Sequence, residues 1–270
     1  MKNAKTLAAL TALVLTVSLT ACSAGKTAET TPVPTATQPQ SSHYPVTITN
    51  YNYAGEPVTY TYEKAPEKVI AVYQGCIETM IALGLEDHVL ASYGLDNEVK
   101  DEWKDGFARM NYDETVFAPD KETVTLLEPD MIFSWDSYFG EKKLGDVAAW
   151  NEKGVGTYMN SNTVPGGTRT LENEYTDILN IGKIFDVEDR AQALVDEMKA
   201  QVEATLAAAQ GQEPVRVAVV EPTASGTITN YGADSLAGDM VTALGGELAR
   251  PDGSDMGKED YFASRIMAGS

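Results

Sequence analysis

The chain has 270 residues with 40 acidic against 20 basic side chains, a formal charge of −20 at neutral pH. That balance argues against a nucleic-acid partner and against charge-driven docking on anionic lipid, since both would repel it. It suits a protein of the cell exterior, kept soluble by its acidity or facing a basic partner.

Lys2 and Lys5 precede an apolar run from Leu7 to Leu19 that is too short to span a membrane. Its length is right for the h-region of a secretory signal. The tetrapeptide Leu19-Thr20-Ala21-Cys22 resembles the bacterial lipobox. By that resemblance residues 1–21 are a lipoprotein signal peptide, Cys22 is diacylated, and the mature chain is held on the outer face of the cell membrane. Residues 22–43 are rich in Thr, Ser, Pro and Gln, cannot bury enough surface to offset their ordering entropy, and are expected to stay an extended tether. With Cys22 lipidated, Cys76 has no partner, so no disulfide framework is expected and Cys76 reads as a small core residue.

From Tyr44 onward the pattern becomes globular. Val46–Thr49 and Val58–Tyr62 alternate around Ala54-Gly55-Glu56-Pro57, which predicts a β-hairpin. Lys68–Val72, Val89–Ser92, Met131–Ser134 and Gly154–Met159 read as strands. Between them, helices are predicted over Cys76–Leu83, Glu122–Glu128 and Leu144–Asn151. Such alternation without hairpin turns predicts a parallel α/β sheet. A helix follows over Leu171–Phe185, then a longer one from Val187 to Ala209 with a single apolar stripe of Ala191, Val195, Met198, Val202 and Leu206. After Pro214 the alternation restarts, with a strand over Arg216–Val220 and a helix over Ser235–Leu244. The expected organisation is an N-terminal α/β lobe (44–168), linking helices including a backbone helix (169–212), and a C-terminal α/β lobe (213–270). That second lobe holds too few elements to cover its own apolar faces, so it is expected to be truncated at residue 270.

Three segments carry a family resemblance. Ala65-Pro66-Glu67-Lys68-Val69-Ile70-Ala71-Val72 runs on to Glu78-Thr79-Met80-Ile81-Ala82-Leu83-Gly84-Leu85. Glu122 to Ile132 is similar to an E-x-x-x-x-L-x-P-D-x-I helix-to-strand signature, and Tyr231-Gly232 precedes Asp239-Met240-Val241-Thr242-Ala243-Leu244-Gly245-Gly246. Together these resemble the ABC-importer solute-binding proteins that include siderophore, haem and vitamin B12 binders. The resemblance implies two Rossmann-like lobes joined by one long α-helix, a ligand held between them, and little hinge closure because the linking rod is stiff. It also implies an ABC permease dimer with ATPase subunits as partner, a small-molecule metal chelate as cargo, and no cofactor. Glu122 stands where the family's first-lobe docking glutamate stands; the second-lobe partner is expected beyond Ser270.

In open α/β sheets the ligand crevice lies past the carboxyl ends of the strands. This rule places Tyr73, Gln74, Tyr93, Trp135, Tyr138 and Asn160 at the cleft from the first lobe, and Tyr231 from the second. Aromatic faces suit a large, partly apolar chelate or macrocycle. Arg169, in the loop before the linking helices, would pair with an anionic ligand. A ferric siderophore comes first, a corrinoid second and haem third.

Rival classes have less to stand on. Direct zinc or manganese binding needs clustered histidines, but His43 and His88 show no paired spacing. An enzyme would need a nucleophile elbow, an HExxH helix or a glycine-rich phosphate loop, and the sequence has none of these. A surface receptor or sensor that binds the same ligand without transport remains the alternative of another class.

Overall fold

Local signals place each element. The computed structural model describes residues 43–140, 143–222, 227–249 and 258–262. The leader, Cys22, the tether as far as Ser42 and the C-terminal end lie outside the described residues. The predicted hairpin is present as β1 (Val46–Tyr51) and β2 (Pro57–Tyr62), paired antiparallel from Val46–Tyr62 to Tyr51–Pro57. Alternation does its work there: Val46, Ile48 and Asn50 point inward, while Thr47 and Thr49 hydrogen-bond across to Thr61 and Thr59 outside. At the turn, the Asn52 side chain accepts from the backbone N–H groups of Ala54 and Glu56.

The first sheet then forms from β3 (Val69–Val72), α1 (Gln74–Ala82), β4 (Val89–Tyr93), α2 (Lys104–Phe107), α3 (Lys121–Leu127), β5 (Met131–Ser134), α4 (Val147–Glu152) and β6 (Gly156–Met159). Its four strands are parallel in the order β4-β3-β5-β6. Caps set the helix starts. Asp120 accepts from Thr123 N at 2.8 Å to open α3, and Asp146 from Ala149 N at 3.1 Å to open α4. The Asp146 cap explains why α4 begins three residues later than the apolar pattern from Leu144 predicts.

Both faces of this sheet are covered, which is why its strands read as continuous apolar runs. Val69, Ala71, Met131, Phe133 and Tyr158 face one core cluster, shared with α1 and the hairpin. Ile70, Val72, Ile132 and Met159 face the other, closed by Val124, Val147 and Trp150. The first cluster is completed by α5 (Leu171–Ile184), opened by Thr170 as its cap, and by the first turns of α6 (Glu188–Ala209). Along α6 the stripe is graded. Ala191 and Val195 are fully buried, Met198 and Val202 half-buried, and Leu206 is 41% exposed. At 22 residues the helix is about 33 Å long, so it outreaches the core that its first half packs against.

The remaining elements are β7 (Arg216–Val217), β8 (Val220–Pro222), β9 (Thr227–Tyr231), α7 (Leu236–Ala243), β10 (Glu247–Leu248) and β11 (Lys258–Phe262). The single strand predicted over Arg216–Val220 is divided here. β7 pairs in parallel with β10, whereas β8 joins an antiparallel sheet of order β11-β9-β8. Only residues 223–226 separate β8 from β9, too few for the crossover that a parallel pair requires. The carbonyl of Val219 accepts from Tyr231 N at 2.8 Å, which extends the β8–β9 pairing back to the break.

Candidate ligand cavity

The order β4-β3-β5-β6 contains a switch point. From β3 the chain crosses by α1 to β4 on one side, and β5 then lies on β3's other side. Crevices form at the carboxyl ends of strands where connections part in this way. Tyr73 follows β3 and Trp135 follows β5, and their rings meet at that seam with centroids 3.7 Å apart and planes inclined by 39°.

A cavity of about 750 Å³ opens beside it, lined by Trp135 and Asp136 after β5, Asn160 after β6, and Arg169 and Glu174 around the start of α5. The facing wall comes from Tyr231 at the end of β9, from Asp234, and from Leu236 and Met240 of α7. The two walls are tied together. Asp239 of α7 accepts from Leu171 N, the first residue of α5, at 2.8 Å. Gly238 lets α7 start close to the preceding loop, because a Cβ there would lie 2.0 Å from the Gly232 carbonyl oxygen.

Of the residues singled out from sequence, Trp135, Asn160, Arg169 and Tyr231 line this cavity. Asn160 is fixed from behind, accepting from Cys76 Sγ at 3.0 Å and reaching Asp177 Oδ2 at 3.5 Å. Arg169 Nε donates to the Asn162 carbonyl at 3.0 Å. Tyr231 donates its hydroxyl to Glu221. Tyr73 and Tyr138 are half-buried in an aromatic group behind Trp135, with ring centroids 5.9 Å apart.

Tyr73 and Tyr138 thus stand outside the lining, and Gln74 and Tyr93 depart further from the cleft expectation. Gln74 is a clamp, accepting from the backbone N–H groups of Asp96 and Asn97 at 3.2 and 2.9 Å while its Nε2 donates to Glu78. Tyr93 is only 3% exposed and packs in the second core cluster, because the last residue of β4 points inward rather than past the strand end. Glu122 is exposed in the first turn of α3, with Leu126 83% exposed one turn on.

A sequence profile described as periplasmic binding protein matches residues 69–262, the greater part of the chain. The chain belongs to the periplasmic binding protein family. Members of this family serve transport systems as substrate-binding proteins, work with ABC permease and ATPase components, and are not enzymes. Among solved structures, a periplasmic binding protein from Veillonella parvula is similar at 28% identity and TM-score 0.72, covering 80% of this chain and 67% of that one. The ABC-type Fe3+-hydroxamate transport system structure from Saccharomonospora viridis is similar at 24% identity and TM-score 0.64, covering 84% and 77%. The periplasmic vitamin B12-binding protein of Vibrio cholerae shares the fold at 15% identity and TM-score 0.51, covering 76% and 73%. No curated protein gives a significant match. Among the described residues, no helix is long and apolar enough to cross a membrane.

This binding protein also has cavity residues that sequence reading passed over. Asp136, Glu174 and Asp234 bring three carboxylates to a lining whose one described cation is Arg169. Burial pushes the Asp136 carboxyl above its ordinary range, against the pull of the Ser137 backbone, Arg169 and Lys143. Asp136 was within reach of the strand-end rule, one residue past Trp135. Glu174 was not, because it sits a turn inside α5 and reaches the cavity only through the packing of that helix. Phe117 completes the aromatic group, 5.9 Å from Tyr73 and 6.1 Å from Tyr138, from a loop without any periodic signal.

Proposed function

We propose that this protein captures a ferric siderophore in the cavity beside Trp135 and delivers it to an ABC permease. Within that class we infer a neutral or cationic chelate of the hydroxamate type. The observation that carries the reading is the lining's charge: among the described residues, three carboxylates stand against one guanidinium, beside a broad indole face. Three hydroxamates neutralise ferric iron, whereas three catecholates leave a triply negative complex that this lining would repel. Haem, with two propionates, is disfavoured for the same reason. A volume near 750 Å³ lies within the range of pockets that enclose a small organic ligand. The name of the Saccharomonospora viridis relative points the same way.

A corrinoid is the second reading. It tolerates the same acidic lining, and the aromatic wall would stack on its macrocycle. In either case Cys22 would carry the lipid that holds the protein on the outer face of the membrane. Glu122 would dock on the permease, since a carboxylate in a helix's first turn is both favoured and accessible. An exposed pair of this kind sets register and is worth about 1 kcal/mol or less.

The test is a tryptophan-fluorescence titration of the full chain in detergent with ferric hydroxamates, ferric catecholates, haem and cobalamin in turn. Saturable quenching by a ferric hydroxamate at or below about micromolar, lost in Trp135→Phe, is the expected result. Quenching by cobalamin alone would establish the second reading, and silence with all four would sink both. Replacing Glu122 by Ala should abolish uptake and leave affinity intact; uptake that survives would favour a receptor or sensor.

A further inference from the structure

One cluster of ligating side chains lies outside the cavity and joins residues far apart in sequence. His43 meets Asp186 and Glu188 at the junction of α5 and α6. Its Nδ1 stands 3.3 Å from Asp186 Oδ1 and 3.2 Å from Glu188 Oε1. The three ligating atoms all lie within 4.8 Å of one another.

The other ring nitrogen decides what Nδ1 can be. His43 Nε2 is 2.8 Å from the Lys183 carbonyl oxygen. A carbonyl has no proton to give, so Nε2–H is the donor and the neutral ring presents a bare lone pair at Nδ1. That lone pair would stand beside two carboxylates, three electron-rich atoms within 4.8 Å of one another. Only a cation relieves this: a proton on Nδ1, or a metal ion among the three.

The distances favour the metal. A tetrahedral ion with bonds of 2.0–2.1 Å has ligand-to-ligand edges of about 3.4 Å, close to both separations measured from Nδ1. A single N–H would point along one direction and serve one carboxylate well, not two. The Lys183 carbonyl on Nε2–H is also the outer partner that metal-bound imidazoles commonly use to fix ring and tautomer. Tyr44 steadies the ring from the side, edge-on with centroids 4.6 Å apart, its own hydroxyl donating to the Ile184 carbonyl at 2.8 Å.

We propose that His43, Asp186 and Glu188 form a binding site for a divalent transition-metal ion of the zinc class, with water in the fourth position. One imidazole with two carboxylates suits zinc better than calcium or magnesium, which take oxygen ligands throughout. The ion would clasp the beginning of the folded domain to the α5–α6 junction, fixing the point where the tether leaves it. This site is separate from the cargo cavity: Glu174 lines the cavity near the start of α5, and Ile184 ends the helix ten residues, about 15 Å, further on. It does not rest on the siderophore reading.

The experiment is equilibrium dialysis of the chelator-stripped full chain, in detergent, against micromolar zinc chloride, with bound metal counted by atomic emission. One zinc per chain is expected, with affinity at least tenfold weaker in His43→Ala and in the milder Asp186→Asn and Glu188→Gln. Cobalt(II) should give four-coordinate visible bands in the parent that vanish in His43→Ala. Zinc should raise the thermal midpoint of the parent and not of the variants. Equal uptake by parent and all three variants would overturn the proposal. So would no uptake by any of them. Ferric hydroxamate quenching should be unchanged in Glu188→Gln, so that failure here and failure of the cavity reading are told apart.

Discussion

Tyr73 and Trp135 close the seam between β3 and β5 with ring centroids 3.7 Å apart, and Tyr73 does so from a backbone conformation of φ 86° and ψ 152°. That region belongs almost entirely to glycine, and holding another residue there costs about 1–3 kcal/mol. The strain sits where the cavity wall is built. Tyr73→Gly should therefore relieve backbone strain while removing the ring that backs Trp135. Urea unfolding should place this variant within about 1 kcal/mol of the parent, with ligand affinity at least tenfold weaker. Tyr73→Phe should keep affinity within a few-fold. A large loss of stability in Tyr73→Gly would mean that the ring serves the core and not the site.

Tyr62 and Gly156 are a matched pair. A Cβ on Gly156 would lie 2.6 Å from Tyr62 Cε1 and 2.8 Å from its hydroxyl oxygen, so the first residue of β6 must be glycine for β2 to lie against it. Gly156→Ala is expected to destabilise by about 1–3 kcal/mol through overpacking. The Tyr62 hydroxyl is buried without a hydrogen-bond partner among the described residues, and burial pushes its pKa far up. Tyr62→Phe should then be neutral or stabilising by up to about 1 kcal/mol, because no bond is lost and a desolvated hydroxyl is removed. Chemical denaturation of both variants checks the pair.

Helices α5 and α6 touch at Gly182, where a Cβ would come within 2.3 Å of Ala191 Cβ. Gly182→Ala should force the helices apart and cost about 1–3 kcal/mol, read as a lowered urea midpoint. Because α5 also holds Glu174 and the Leu171–Asp239 link, the same variant should weaken ligand binding without touching the ligand. A variant that unfolds more readily with unchanged affinity would show that the far end of α5 is insulated from the cavity.

The first lobe was legible because both faces of its sheet are buried. Four apolar runs separated by helices leave little choice, and every strand from Val69 to Met159 falls within two residues of its predicted position. The region after Pro214 was less so. Ala218-Val219 continues the apolar run of Arg216-Val217, and nothing in the residues marks the break that sends Val220–Pro222 to another sheet. At the cavity, strand ends located Trp135 and Asn160, but the same rule misplaced Tyr93, whose side chain follows the alternation of β4 inward. The meeting of His43 with Asp186 and Glu188 had no sequence signature, since it joins residues more than a hundred positions apart through the docking of His43 and Tyr44 on the end of α5.

Asp177 gives a stability that depends on pH in an uncommon direction. Its carboxylate is 2% exposed, accepting from the Tyr158 hydroxyl at 2.8 Å and from Ser161 N at 2.7 Å. Burial outweighs these bonds and pushes its pKa up to about 6, against about 4 in an unfolded chain. Between those values the folded protein holds a proton that the unfolded chain has released, so stability falls as pH rises from about 4 through 6. Above that window the full cost, about 3 kcal/mol, is present, and below it the cost is gone. Other carboxylates act oppositely: Asp113 and Asp120 have pKa values lowered by hydrogen bonds from Thr115 and Thr123, and lose stability in acid. The comparison with Asp177→Asn separates the two. Urea midpoints between pH 4.5 and 7.5 should show the parent losing stability relative to Asp177→Asn as pH rises, whatever the offset between them. Parallel curves would mean that water reaches the carboxylate. If the slope is present, the group that steadies Asn160 in the cavity wall changes charge just below neutral pH, and ligand affinity should follow the same curve.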